Sequence, residues 1–277
     1  MAFSSLSKNN KLLAALPDSV LKHWLPQLDW VFMPLGRVLC EPGLKLSHVY
    51  FPVTAMVSLI YVTQSGASTG IASVGCEGLV GVEVVMAGES MPGRAEVQSE
   101  GYGFRLSAAV VKNACADNRE TMQLLLRYTQ ALSVQIFQLA VCSRHHCLEQ
   151  RLSSWLLWQF DNLQTQEIAQ THERIANLLG VRRESVSEGL CKLQKLGALR
   201  YNRGHISVEN RIALEKQSCE CAHVIKLAYA DVSVNGDANE PRTIYSLYRG
   251  QVMHEPRHLA EFIRHWSTAP PVFASLS

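Results

Sequence analysis

The chain has no run of about 18 apolar residues, so it offers no segment that reads as a membrane-spanning helix. Its opening residues, MAFSSLSKNNKLLAALPDSV, hold only a short apolar stretch that Pro17 and Asp18 interrupt. No secretory leader is expected from it, and the expected location is the cytoplasm. Charge is scarce: 18% of residues are charged and the formal net charge is +2. That balance is too small to imply nucleic acid by itself. No P-loop, no HExxH and no nucleophile elbow occurs, so the chain is expected not to be an enzyme. No cysteine precedes Cys40. What the chain does have is 277 residues, 47% of them hydrophobic, enough for two domains with sizeable cores.

The most informative stretch is Thr171 to Leu199, THERIANLLGVRRESVSEGLCKLQKLGAL. Ile175, Leu178 and Leu179 sit at helical spacing behind Thr171, a fitting N-cap. Gly180 supplies a turn, where a left-handed backbone costs little. A second helix then opens on Arg182, Arg183, Glu184, Ser185 and Ser187, with Val186, Leu190, Leu193 and Leu196 as its expected buried face. Gly197 is the expected C-cap. Arg can bond both acceptors of guanine, Glu can accept from the amino group of cytosine, and a helix N-terminus favours phosphate. Beyond Leu199 the sequence reads as a hairpin with Asn202 to Gly204 at its tip, from which Arg203 can reach phosphate. The basic excess is local: Thr171 to Lys216 holds nine Lys or Arg against five Glu, a net +4.

This stretch resembles the winged helix-turn-helix of the Crp/Fnr family of bacterial transcription regulators. The family's recognition helix typically opens on a series like S-R-E-T-V, here Arg182-Arg183-Glu184-Ser185-Val186. The resemblance implies double-stranded DNA as partner, read by Thr171, His172, Arg182, Arg183, Glu184, Ser185, Ser187, Glu188 and Arg203. Glu188 departs from the pattern: the best-known member has a second base-contacting Arg there, so the resemblance implies a different target sequence. RNA polymerase follows as a partner for an activator.

Upstream, from Trp30 to Leu106, short apolar runs are punctuated by Gly, Pro and Ser, the pattern of many short strands. It resembles the family's cyclic-nucleotide-binding-like β-roll, with Pro34-Leu35-Gly36 and Glu41-Pro42-Gly43 at its early turns. Members that bind cyclic AMP carry Gly-Glu-x-Gly and then Arg-Ser. Here the first part is Gly78-Leu79-Val80-Gly81 and the second is Gly93-Arg94-Ala95. Loss of a carboxylate and a hydroxyl removes two hydrogen bonds, of which the charge-assisted one is worth on the order of 1.5–3 kcal/mol, so cyclic AMP is not the expected effector. Leu79, Gly81, Arg94 and Ala95 mark the corresponding pocket, in which Arg94 either meets an anion or makes a structural ion pair. Glu77 and Glu83 lie nearby but out of register. No cofactor is expected, and the small-molecule effector is unknown.

Arg119 to His146 has no Gly or Pro, and Leu125, Leu132 and Leu139 recur every seven residues. A helix buried in its own chain would use the same residues. The family uses its equivalent helix for dimerisation, which implies a homodimer interface at Leu125, Tyr128, Leu132, Gln135, Ile136 and Leu139. On that reading Leu132→Asp should break the seam.

The eight cysteines suggest no framework. Cys142 and His146 share a helix face, but two ligands make a weak site. Cys219 and Cys221 are too few alone, so no metal is expected. The expected fold is α+β: a helical lead-in (1–29), a β-roll (30–118), a long dimerisation helix (119–147), a winged helix-turn-helix (148–222) and an extension, largely disordered (223–277). Within that extension a helix is conceivable from His258 to Trp266. A ligand-binding module acting through protein contacts, with a non-functional DNA domain, is the alternative.

Overall fold

The computed structural model describes residues 2–86 and 90–233. Three short helices lead in: α1 (Ala2–Ser7), α2 (Lys11–Ala14) and α3 (Asp18–Trp24). Asn10 ties them down. Its side chain caps α2 by accepting from the Leu13 N–H and donates to the carbonyls of Pro52 and Gly78, both at 2.8 Å. Trp24 is fully buried beside Phe51.

Seven antiparallel strands follow: β1 (Asp29–Met33), β2 (Val38–Cys40), β3 (His48–Pro52), β4 (Met56–Val62), β5 (Ser68–Val74), β6 (Arg94–Ser99) and β7 (Gly101–Ser107). They form two sheets, ordered β1-β7-β3 and β2-β6-β4-β5. β3 is buried along nearly its whole length, with Trp24 of the lead-in beside Phe51 and the helix over Ala108–Asp117 packed against it. The run from Gly70 to Met86, which reads as strand in the sequence, does not stay extended. β5 stops at Val74, where Gly75, Gly78 and Gly81 interrupt it, and Val82–Val85 form a 3₁₀ turn.

The roll closes with α4 (Ala108–Asp117) and hands over to α5 (Arg119–His145), 27 residues long and capped by the Asn118 side chain. Next come α6 (Leu148–Leu163), β8 (Glu167–Ala169), α7 (His172–Leu179), α8 (Arg183–Lys195), β9 (Leu199–Asn202), β10 (His205–Val208), α9 (Arg211–Gln217) and α10 (Glu220–Ser233). β8 completes a three-stranded sheet ordered β8-β10-β9. α9 and α10 are separate helices, with the break at Ser218 and Cys219. The conceivable helix at 258–266 lies outside the described residues.

α10 corrects the reading of α5. It packs along α5 and buries Ile225, Tyr229 and Val232 there. The Tyr229 hydroxyl donates to Gln135 Oε1 at 3.1 Å, and the Tyr229 ring lies 6.1 Å from that of Tyr128. Leu125, Tyr128, Leu132 and Gln135 are therefore buried by their own chain and unavailable to a partner. Ile136 and Leu139 are half-buried. The apolar residues that α5 leaves exposed are Leu126 (53%), Phe137 (68%) and Val141 (49%). The seven-residue period is that of the face turned inward.

Candidate nucleic-acid interface

The DNA-reading candidates stand on a core of their own. Leu152, Leu156 and Phe160 from α6 pack with Ile175 and Leu179 from α7 and with Val186, Leu190 and Leu193 from α8. Thr171 caps α7, accepting from the Arg174 N–H at 3.3 Å. Gly180 turns the chain with φ +64°. α8 begins one residue later than expected, with Arg182 as its N-cap and Arg183 as its first helical residue. Leu196, expected in the buried face, is 57% exposed, because the helix has ended at Lys195 and Gly197 (φ +67°) turns the chain away. Leu178 also leaves the domain core. It is half-buried and lies against Gly70 of β5, covering that edge strand.

The wing forms as its sequence demands. Arg203 and Gly204 both have positive φ, 47° and 87°, the two-residue turn whose twist matches an antiparallel hairpin. Arg203 stands exposed at the tip.

Arg182, Arg183, Glu184 and Glu188 are exposed on and beside the first turns of α8. Among the described residues no carboxylate pairs with Arg182, Arg183 or Arg203, whereas Arg200 pairs with Glu209, Arg211 with Asp161 and Glu215, and Lys192 with Glu149. Arg182, Arg183 and Arg203 surround the helix start and the wing; Arg174 on α7 and Arg151 on α6 likewise pair with no carboxylate among the described residues.

Two other candidates are engaged inside the protein. His172 Nδ1 lies 2.6 Å from Ser187 Oγ, and the imidazole packs on Tyr201 of β9 with ring centroids 4.5 Å apart. Burial, reinforced by the Arg183 charge, lowers the His172 pKa from its ordinary value. His172 and Ser187 thus brace α7, α8 and β9 against one another. Ser185 is half-buried on α8.

The residues of the expected effector pocket are mostly closed. Leu79 and Ala95 are buried, and Gly81 is a left-handed turn at φ +96°. The Tyr128 hydroxyl donates to the Leu79 carbonyl at 2.8 Å. Arg94 makes the structural ion pair, Nε to Glu41 Oε2 at 3.1 Å. Glu77 turns back on its own loop and accepts from the Gly75 N–H with both oxygens, at 2.9 and 3.0 Å. A cavity of about 550 Å³ lies instead where β5, α5, α6, α7, α9 and α10 meet, lined in part by Gly70, Gln135, Leu139, Trp155, Trp158 and Leu178.

Burial raises the Glu77 pKa from 4.5 to about 7. Between those values the folded chain holds a proton that the unfolded chain has released. Stability must then fall as pH rises through that window, by at most about 1.4 kcal/mol per pH unit. Urea unfolding of Glu77→Gln is expected to show a flatter dependence than wild type from pH 5 to 7. Parallel curves for the two proteins would mean that Glu77 ionises normally.

A model of the Crp-like helix-turn-helix domain matches residues 150–217. No curated protein sequence matches the chain. Several solved structures are similar in fold. FixK2 from Bradyrhizobium japonicum is 17% identical, with a TM-score of 0.61 over 69% of this chain and 98% of that one. The c-di-GMP-responsive global regulator CLP from Xanthomonas campestris is 13% identical, with a TM-score of 0.57 over 69% and 99%. A CRP-family transcriptional regulator from Thermus thermophilus is 18% identical, with a TM-score of 0.56 over 68% and 96%. Among the described residues, no helix is long and apolar enough to cross a membrane.

Proposed function

We propose that this chain, whose residues 150–217 match a model of the Crp-like helix-turn-helix domain, is a DNA-binding transcription regulator of the Crp/Fnr type that works as a homodimer on a roughly palindromic operator. The observation that carries the reading is the unpaired set Arg182, Arg183 and Arg203 around the N-terminus of α8 and the wing tip. α8 enters the major groove by its first turn. Arg183 and Glu184 read base edges there, while Arg182 and Arg203 bond phosphates on either side. His172 and Ser187 hold the angle between α7 and α8 and touch no base.

Dimerisation uses the exposed face of α5. At 3.6 residues per turn, Leu126, Phe137 and Val141 fall within about 60° of one another around the helix. An apolar stripe of that kind, paired with its copy, sets two α8 helices to face successive major grooves about 34 Å apart. Glu188 stands exposed one turn beyond Glu184, so the second turn of α8 selects against close phosphate. The effector binds elsewhere than in the family's cyclic AMP position.

The test is selection of a binding site from random duplex DNA, followed by affinity measurements at several salt concentrations. Arg183→Ala is expected to lose about 1–3 kcal/mol and to relax preference at one base position. Arg203→Ala is expected to weaken all sequences alike and to reduce the salt slope by about 1. Identical profiles for the two variants would sink the assignment of Arg183 to base reading. A wild type that selects no sequence would favour a module acting through protein contacts.

A further inference from the structure

Four side chains that the sequence keeps far apart converge at the joint between α5 and α10. Cys142 and His146 stand one turn apart at the end of α5, while Cys219 and Cys221 flank the start of α10. One ligand atom from each lies within 4.8 Å of all the others. Cys142 Sγ is 3.5 Å from Cys219 Sγ, and Cys221 Sγ is 3.5 Å from His146 Nδ1. All three cysteines are free and buried, and together they form a small cluster separate from the two main cores.

These separations suit one ion. Tetrahedral zinc, with Zn–S near 2.3 Å and Zn–N near 2.0–2.1 Å, places its donor atoms roughly 3.5–3.8 Å apart along each edge. A multi-iron cluster distributes its thiolates over different irons and holds them farther apart, so the compact tetrad does not suit one. The surroundings complete the pattern. His146 Nε2 lies 3.2 Å from Glu220 Oε1, so the imidazole turns Nδ1 inward and gives its other nitrogen to a carboxylate. Metal-bound imidazoles are ordinarily held in that way. The Cys219 N–H donates to Ser154 Oγ, which in turn lies 3.2 Å from Cys219 Sγ and fixes that ligand to α6.

We infer that Cys142, His146, Cys219 and Cys221 form a mononuclear site of the Cys₃His type for a soft divalent cation, zinc above all. Thiolates select such a cation over magnesium or calcium. On binding, each of the three thiols gives its proton to solvent as its sulphur takes the metal, and His146 binds as neutral imidazole through Nδ1. The position of the site suggests its use. The matched helix-turn-helix segment, 150–217, enters just after His146 and leaves just before Cys219. One ion therefore clamps both ends of the DNA-reading segment to the end of α5. Occupancy then fixes where α7 and α8 stand relative to the roll. The site holds whether or not the chain proves to bind DNA.

The experiment uses the full chain, purified under reducing conditions, stripped with a chelator and titrated with Co²⁺ alone. One equivalent is expected to give the visible bands of tetrahedral cobalt and a charge-transfer band of three thiolates, both bleached by one equivalent of Zn²⁺. Cys221→Ser should weaken binding at least about 100-fold, Glu220→Gln about 10–100-fold, and Cys191→Ser, exposed on α8, not at all. Absence of tetrahedral bands in wild type, or bands that persist unchanged in both Cys142→Ser and Cys221→Ser, would overturn the site. If those variants fail to fold, the wild-type spectrum decides alone: a charge-transfer intensity for fewer than three thiolates overturns the proposal.

Discussion

Tyr128→Ala is expected to destabilise the chain by about 3–5 kcal/mol, the range for deleting a fully buried aromatic side chain. Tyr128 is where α5 meets the roll. Its ring fills the space above Gly78 so closely that a Cβ at Gly78 would overlap its ring and hydroxyl atoms. Its hydroxyl donates to the Leu79 carbonyl. Gly78 has an ordinary backbone, so its small size, not its conformational freedom, is what this position requires. Gly78→Ala should therefore be strongly destabilising with Tyr128 present and close to neutral in a Tyr128→Ala background. The coupling energy of the double-mutant cycle is expected at roughly 1–3 kcal/mol, measured by denaturant unfolding. Additive losses would mean that the two residues do not pack on one another. The pair ties α5 to the turn of the roll around Gly78 and Leu79.

Leu132→Asp and Phe137→Asp should part company in the same assay. Leu132 is buried against its own chain, and an Asp there leaves a charge without a partner, a cost of about 4 kcal/mol or more and so a large share of the roughly 5–15 kcal/mol that holds an ordinary chain folded. Phe137 is 68% exposed, so Phe137→Asp should change monomer stability by about 0.5 kcal/mol or less. On the proposed homodimer it should, however, give a monomer in sedimentation and weaken binding to a palindrome. Loss of dimer in a folded Leu132→Asp, with Phe137→Asp unaffected, would restore the seam suggested by the seven-residue spacing. The contrast is sharp because the two positions lie on nearly opposite sides of one helix. The identity of the exposed face, not its hydrophobicity alone, determines which variant matters.

Local chemistry made the DNA-reading half legible in the sequence. The apolar period of 3.6 in α7 and α8, the obligatory left-handed turn at Gly180 and the Arg203-Gly204 turn of the wing are each decided by neighbours within a few residues. The many-stranded roll was legible for a similar reason, through short apolar runs cut by Gly and Pro.

Tertiary structure alone decided the rest, wherever the answer depended on what lands against what. The inward face of α5 could not be told from an outward seam, because apolar residues at the same spacing serve either. The roll and α10, the latter packed along α5 by Ile225, Tyr229 and Val232, show which face the chain keeps for itself. His172 and Ser187 read as DNA contacts in a linear motif, and only the fold brings them within 2.6 Å of each other, where they brace two helices. The four metal-site residues form two half-sites, each too poor in ligands to stand alone. Cys142 and Cys219 are 77 positions apart, and no local rule brings them together. Sequence determines a helix, a turn or a cap because those need only near neighbours. A coordination shell and a covered face need distant ones, and the fold supplies them.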